Sequence, residues 1–399
     1  MMARDSKTTM HNLFSKIQKG GLTIRYWDGD ERVYGPDRSD AKIVFYKPMP
    51  VGLKLIDPMM AFGEAYMDEI FDIEGNWADL FYILSHNRAL FYGKQHSKTA
   101  GYLRKGVADV AIKISQKENI HHHYDLGNDF FSLWLDETMS YSCGYFKKPD
   151  DTLYKAQIQK IDHILKKLQL KPGERLLDIG SGWGWLILRA AEHYNVQATG
   201  ITLSEAQFNA TSKRIKERGL EKNVQVKLLD YLDLDPREGQ FEKIVSVGMY
   251  EHVGKNNHSR YMEKVEQLLV PEGLSLLHTI SGIREGGVNS WSHKYIFPGG
   301  YIPSLRETVN LLPDYNFHLL HAESLRLHYA LTLDHWYKNF SAHQSKIMDM
   351  FDQRFVRMWS LYLLSAAAQF RSTGLDLYQF LFSKGLNNHL PRTLEHIYK

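Results

Sequence analysis

Between Arg175 and Ile280 the apolar positions fall into short runs separated by longer helical stripes. The run RLLDIG (175–180) reads as a buried strand ending in glycine. Further strands are predicted at 197–203, 224–229, 243–248 and 274–280, with helices at 184–194, from a Ser204 N-cap to about Gly219, and at 259–269. Upstream, Ile158, Ile161, Ile164, Leu165 and Leu168 recur at helical spacing. Strands interleaved with helices of this length predict right-handed crossovers and a mostly parallel, doubly wound α/β sheet, which binds ligands at the carboxyl ends of its strands.

The flanks read differently. Leu22, Ile24 and Tyr26 alternate with polar residues before an Asp28-Gly29 hairpin signal, Ile43 to Tyr46 is a second strand-like run, and prolines at 36, 48, 50 and 58 keep the pieces short. Beyond Pro58 the pattern turns helical, with Trp77, Leu80, Phe81 and Leu84 behind an Asn76 N-cap. Residues 1–93 are therefore read as a small mixed α+β domain, 94–118 as a linker and 119–399 as one large domain. Past Ser281 the rhythm fails: 282–304 is a long loop of the kind that forms lids, followed by a strand near 317–325 and aromatic-rich helices from Tyr329 onward.

Composition narrows the class. Hydrophobic residues make up 43% and charged residues 24%, which excludes disordered and collagenous chains. A net charge of +3 argues against nucleic acid as a partner. A single cysteine, Cys143, excludes a disulfide framework and a Cys-rich zinc site. The first twenty residues lack the apolar core of a secretory signal, and no apolar run approaches the roughly 18 residues of a spanning helix. A cytoplasmic protein is expected, with any membrane contact peripheral. The neutral total hides a local excess: residues 94–119 carry Lys94, Lys98, Arg104, Lys105, Lys113 and Lys117 against Asp109 and Glu118. This is either a solvated connector or a contact with an anionic lipid surface.

The candidate chemistry begins at LLDIGSGWG (176–184), where Gly180, Gly182 and Gly184 stand where a strand turns into a helix. G-x-G-x-G departs from the dinucleotide pattern G-x-G-x-x-G. Asp178 before the turn suits a cationic ligand, and Trp183 between the glycines would crowd a diphosphate. About twenty residues on, where a nicotinamide site needs an acid, stand Thr202 and Gln207 in GITLSEAQ. Asp230 closes the third strand, either to meet a nucleobase amine or as a plain helix cap. Together these runs resemble an S-adenosylmethionine-dependent methyltransferase.

Five further motifs sharpen the resemblance: HYDLGNDFF (123–131), YSCGYF (141–146), MYEHVG (249–254), LHTI (277–280) and HYALTLDHW (328–336). In this order they are similar to the cyclopropane-fatty-acyl-phospholipid synthase family, and the small N-terminal domain is what its long bacterial members carry. The resemblance implies a Rossmann-like methyltransferase domain that transfers a methylene from S-adenosylmethionine across a cis double bond of a phospholipid acyl chain. It implies cofactor contacts at Tyr141 and Ser142, at Asp178, Gly180, Ser181, Gly182 and Gly184, and at Thr202, Gln207 and Asp230, with Tyr124 and Trp183 walling the site. It also implies a bicarbonate ion touching Cys143, Glu251, His278, Ile280 through its backbone, and Tyr329, so that Glu251, His278, Tyr329 and Cys143 are the catalytic candidates.

The chemistry explains these residue types. A carbocation formed from the alkene must lose a methyl proton to something basic in an apolar pocket that admits no water. Tyr141, Tyr145, Phe146, Phe297 and Tyr301 are candidate aromatic walls for the cation. Cys143 reads as a ligand contact and not as a nucleophile. His121, His122 and His123 cannot converge on one ion from a regular element, so no metal is expected. Where some family members carry a cysteine this chain has Ala366, within a stretch (362–370) read as a buried helix, which removes any covalent thiol scheme there. The implied partners are a phospholipid bilayer and a second copy of the chain. Alternatives from other classes are a methyltransferase that leaves a methyl-branched or methylene lipid, a small-molecule N- or O-methyltransferase and a non-catalytic lipid-binding protein.

Overall fold

The computed structural model describes residues 2–49, 57–87, 90, 126–286 and 288–398. The basic segment 94–118, the histidines 121–123 and Tyr124 lie outside the described residues. The chain divides into two units. One takes the N-terminal region together with Val288–Pro298 and Leu333–Gly374, and the other takes the region up to residue 287 with Gly299–Thr332 and Leu375–Lys399. The helices at 333–374, which the sequence reading gave to the large domain, thus group with the N-terminal unit.

In the N-terminal unit, β1 (Leu22–Arg25), β2 (Glu31–Tyr34), β3 (Lys42–Phe45) and β4 (Phe71–Glu74) form a sheet of order β2-β1-β3-β4. Leu22 pairs with Tyr34 and Arg25 with Glu31 across the Asp28-Gly29 turn. Asn76 caps the helix Trp77–His86 by accepting the Ala78 N–H, as the sequence suggests. Arg357, on the helix Gln353–Ser372, ties this unit together. Its guanidinium donates to the carbonyls of Tyr66 (2.6 Å) and Phe71 (3.0 Å) and to Asp72 Oδ1 (2.6 Å), and it lies 4.2 Å from the Tyr66 ring centre.

The larger unit is built on β5 (Arg175–Ile179), β6 (Gln197–Thr202), β7 (Val224–Leu228), β8 (Phe241–Val247), β9 (Leu269–Gly282), β10 (Phe317–Ser324) and β11 (Leu375–Lys384), ordered β10-β11-β9-β8-β5-β6-β7. Strands β5 to β9 are mutually parallel, as predicted. Neighbouring residues in these strands enter opposite cores. Leu176, Val245, Leu276 and Leu381 join the helices Leu153–Leu168 and Trp185–Tyr194 on one face, while Leu177, Ile244, Leu277 and Phe380 join the helix His258–Leu268 on the other. Burial on both faces is what makes the sequence of a parallel strand read as a continuous apolar run.

One prediction fails. The region read as helix to the end of the chain contains β11, which runs antiparallel between β9 and β10. Residues 379–383 are all buried, so it lacks the alternation that marks a half-exposed strand. The long loop after Ser281 also holds a short helix, Ser290–Tyr295, capped by Asn289.

Lysine cannot reproduce the planar fork of Arg357, which serves three acceptors and stacks on a ring. Arg357→Lys is expected to cost about 2 kcal/mol, read as a lower urea midpoint; an unchanged midpoint would show that the bridge is dispensable.

Candidate active site

The carboxyl ends of β5, β6, β7 and β8 open onto one pocket. Strand β5 continues into the turn Gly180–Gly184, whose three glycines all adopt left-handed backbone, with φ of +83°, +54° and +84° at 180, 182 and 184. Such φ values disfavour any residue with a Cβ. At 184 a Cβ would also lie 2.3 Å from Thr211 Cγ2. The N–H groups of Gly180 and Ser181 both donate to the Ile201 carbonyl, at 3.1 and 2.9 Å, which fastens the turn to β6.

Around this turn the pocket is lined by Tyr141, Ser142, Asp178, Gly180, Ser181, Gly182, Trp183, Gly184, Thr202, Gln207 and Asp230. Every cofactor candidate named from the sequence is there except Tyr124, which lies outside the described residues. Thr202 Oγ1 donates to Gln207 Oε1 at 2.7 Å. Trp183 is fixed by its indole N–H, which donates to Asn128 Oδ1 at 3.1 Å. Asp230 caps the short turn after β7, its Oδ1 accepting the Leu232 N–H at 2.9 Å, and it also lines the pocket. Burial pushes the Asp178 carboxyl up to about 7 against the pull of the Lys160 charge, and its Oδ1 has no partner. That orphaned acceptor beside a glycine cradle fits the α-ammonium of S-adenosylmethionine.

None of the four catalytic candidates lines this pocket; Cys143 and Glu251 are chain neighbours of residues that do. Glu251 sits between Tyr250 and His252 in the short helix Tyr250–Val253, and Met249, His252 and Val253 line the pocket. Its Oε1 accepts the Ile280 N–H at 2.6 Å, while its Oε2 is buried without a partner. Burial lifts the Glu251 carboxyl to about 7, against the opposing effect of that hydrogen bond. The Ile280 N–H assigned to bicarbonate is thus donated to Glu251. Cys143 is wholly buried, and burial drives its thiol far above the ordinary range, so it holds a proton and is not a nucleophile. Its Sγ and the Tyr329 N–H both approach the Leu325 carbonyl, at 3.9 and 3.0 Å.

His278 is held by a chain of polar groups that the sequence did not reveal. Lys167 Nζ donates to Gln379 Oε1 at 2.8 Å, and Gln379 Nε2 lies 3.1 Å from His278 Nδ1. An ammonium can only donate, so the amide oxygen faces Lys167 and the amide N–H faces His278. Nδ1 therefore accepts, and the ring proton sits on Nε2, which is buried without a partner. Burial, reinforced by the charges of Lys160, Lys167 and His163, pushes His278 well below its ordinary range and keeps it neutral. Lys167 also donates to Glu323 Oε2 at 2.5 Å, which His163 Nε2 approaches at 2.6 Å. Burial opposes ionisation of Glu323, but these two partners outweigh it and bring its carboxyl down to about 2.

The aromatic candidates separate. Tyr141 lines the pocket. Tyr145 is sandwiched between His163 and His328, at ring-centre distances of 4.1 and 4.7 Å, and Tyr301 donates to Glu307. Phe297 belongs to the N-terminal unit, where it packs edge-on to Tyr362. Lys160 and His252 line the pocket without having been singled out in the sequence. Burial lowers His252 to about 4, so it is neutral.

A family model described as mycolic acid cyclopropane synthetase matches residues 112–380, about two thirds of the chain. The chain belongs to this family of cyclopropane synthases. A second family model, for a domain of unknown function, matches residues 9–96. A "Probable fatty acid methyltransferase" of Pseudomonas putida is 34% identical over 95% of this chain and 96% of its own. The "Cyclopropane-fatty-acyl-phospholipid synthase" of Escherichia coli K12 is 43% identical over 67% of this chain and 68% of its own. Among solved structures, the mycolic acid cyclopropane synthase CmaA1 complexed with SAH and CTAB superimposes with a TM-score of 0.63 at 35% identity, covering 67% of this chain and 98% of that one. Family membership makes the protein an S-adenosylmethionine-dependent enzyme with a Rossmann-like methyltransferase fold, and the pocket at the carboxyl ends of β5 to β8 is where that cosubstrate fits. No helix among the described residues is long and apolar enough to cross a membrane.

A carboxyl whose pKa is raised on folding favours the folded state fully below its unfolded value and loses that contribution as pH rises through the folded value. For Glu251 the loss falls between about 4.5 and about 7. Glu251→Gln keeps an acceptor for the Ile280 N–H and removes the titration, so its unfolding midpoint should fall less than that of the wild type between these pH values. Parallel curves would refute this.

Proposed function

We propose that this cyclopropane synthase acts on a cis double bond in an acyl chain of a membrane phospholipid, adding one methylene and releasing one proton. The observation that carries the reading is that two polar atoms, the His278 Nε2 donor and the Glu251 Oε2 acceptor, are buried without partners. When bound, S-adenosylmethionine supplies an electrophilic methyl carbon on a sulfonium. The residues must then keep the cation formed on the lipid dry and take away one methyl proton.

A bicarbonate ion suits the unpartnered pair, because it has oxygens to accept from His278 Nε2–H and one O–H to donate to Glu251. His278 and Glu251 would hold it, with Tyr329 and the Cys143 thiol beside them, and it would supply a weak base. Neutral His278 adds no positive charge next to a carbocation. Glu251, lifted to about 7, is tuned to take up a proton near neutral pH.

A second reading follows from a relative matched over 95% of the chain, the "Probable fatty acid methyltransferase" of P. putida: methyl transfer to the acyl chain without ring closure. Lipid analysis of a host lacking its own enzyme, after expression of this chain with methyl-labelled methionine, separates the two. Cyclopropane resonances in the NMR spectrum of the extracted lipid support ring closure, and a methyl branch or an exocyclic methylene overturns it. Glu251→Gln and His278→Ala are expected to lower ring formation by about 10²–10⁴-fold while leaving S-adenosylmethionine binding within a few-fold of wild type. Full activity in both would remove the anion site from the reading.

The acyl double bond lies within a bilayer, so the reading also entails peripheral docking, with the six basic residues at 94–119 contributing attraction to anionic lipid and a second copy of the chain assisting. Changing Lys94, Lys98, Lys105, Lys113 and Lys117 to Gln should weaken co-sedimentation with anionic vesicles. Unchanged binding would discard the electrostatic part.

A further inference from the structure

Glu251 stands in a single turn of helix, Tyr250–Val253, that has no side-chain cap at its N-terminus. One turn has little stability of its own, so the place of this carboxyl depends on what holds the turn from outside. Two contacts do. The Ile280 N–H, near the end of β9, donates to Glu251 Oε1 at 2.6 Å. The Tyr301 N–H donates to the Glu251 carbonyl at 2.9 Å. Both holds lead to one segment: Gly282, two residues beyond Ile280, donates its N–H to the Pro303 carbonyl at 2.9 Å and bridges to Ser304. Residues 301–304 therefore touch the backbone of Glu251 and also the strand end that grips its side chain.

This segment follows Gly299-Gly300, a pair that constrains the backbone little, so its position is fixed from the other side. There Glu307, on the helix Leu305–Leu311, gathers it. Glu307 Oε2 accepts the Ser304 N–H at 2.8 Å while the Glu307 N–H donates to Ser304 Oγ at 3.0 Å, a capping box. A capping box needs nothing more. Yet the Tyr301 hydroxyl also donates to this carboxylate, at 2.8 Å from Oε1 and 3.0 Å from Oε2, and Lys255 Nζ lies 3.1 Å from Oε1. Burial opposes ionisation of Glu307, but the Ser304 N–H, the Tyr301 hydroxyl and Lys255 outweigh it and hold the carboxyl below its ordinary range. Tyr301 is buried, and a hydrogen bond to a charged group is among the stronger ones. One residue is thus pinned at both ends, its main chain on Glu251 and its side chain on Glu307.

We propose that Tyr301 and Glu307 are positioning residues for the reaction: Glu307 anchors Tyr301, and Tyr301 holds the turn that carries Glu251. This rests on the reading of Glu251 as the group that takes up a proton. Neither residue is placed against the reacting atoms; both act through Glu251.

The test is steady-state kinetics of the full chain with methyl-labelled S-adenosylmethionine and vesicles of dioleoyl phosphatidylglycerol and phosphatidylethanolamine. Tyr301→Phe removes one hydroxyl and keeps the N–H that holds Glu251. It should lower kcat about 10-fold and leave both KM values within about 2-fold of wild type, because misplacing a catalytic group acts on the chemical step. Glu307→Ala should lower kcat by at least about 10-fold. Glu307→Gln, which keeps an acceptor for the cap and the phenol, should stay within about 3-fold of wild type. In a Glu251→Gln background, Tyr301→Phe should cost less than about 2-fold, because the group it positions is already gone. Wild-type kcat in Tyr301→Phe overturns the proposal, as does an undiminished cost in the Glu251→Gln background. If Glu307→Ala does not fold, Tyr301→Phe decides. Wild-type kcat in Glu251→Gln removes the reading of Glu251 and this proposal together, whereas a slow Glu251→Gln beside a wild-type Tyr301→Phe removes the proposal alone.

Discussion

Polar groups taken out of water must find partners, and the larger unit depends on how one helix meets that demand. Gln157, Lys160, His163 and Lys167 lie at successive helical spacings on the helix Leu153–Leu168, and all four are at least 96% buried. They bond in two pairs to two parts of the larger unit. Gln157 and Lys160 hold Ser142, His163 meets Glu323 on β10, and Lys167 joins Glu323 to Gln379 on β11. A single polar stripe therefore fixes the loop that lines the cofactor pocket and, through Gln379, the tautomer of His278. The apolar residues on the same helix, Ile161, Ile164, Leu165 and Leu168, enter the core beneath the sheet and keep the stripe in register.

The electrostatics divide the site into two regions. At the cofactor end, Lys160 and Asp178 both line the pocket. Around Glu251 and His278, the imidazole and the Cys143 thiol are neutral, and the carboxyl lifted to about 7 is only partly ionised near neutral pH. A carbocation tolerates such surroundings, since nothing there is a strong nucleophile.

The parallel strands, the glycine turn and the caps at Asn76 and Ser204 were legible because each is a local pattern: apolar runs of strand length, glycines where only left-handed backbone fits, and side chains two or three residues from the N–H they accept. The pocket candidates were legible through family motifs. Strand β11 was not, because burial on both faces erases alternation and its aromatic content resembles that of the neighbouring helices. Nor was the grouping of 333–374 with the N-terminal unit, since it depends on contacts between segments nearly three hundred residues apart, such as Arg357 with Tyr66. Lys160 and Lys167 carried a signal that passed unread. A lysine flanking the apolar stripe of an amphipathic helix ordinarily snorkels to water, and only the partners across the sheet show that these two turn inward.

The register of β11 against β9 sets Gln379 directly opposite His278. In chain order β11 follows every other strand of the sheet, so the residue that settles the imidazole proton is made about a hundred residues after the imidazole itself. A growing chain that has reached Thr332 already contains the residues of the glycine turn, Glu251 and His278, but not the amide that faces Nδ1. The tautomer of that imidazole is therefore settled only when the last strand of the sheet is in place.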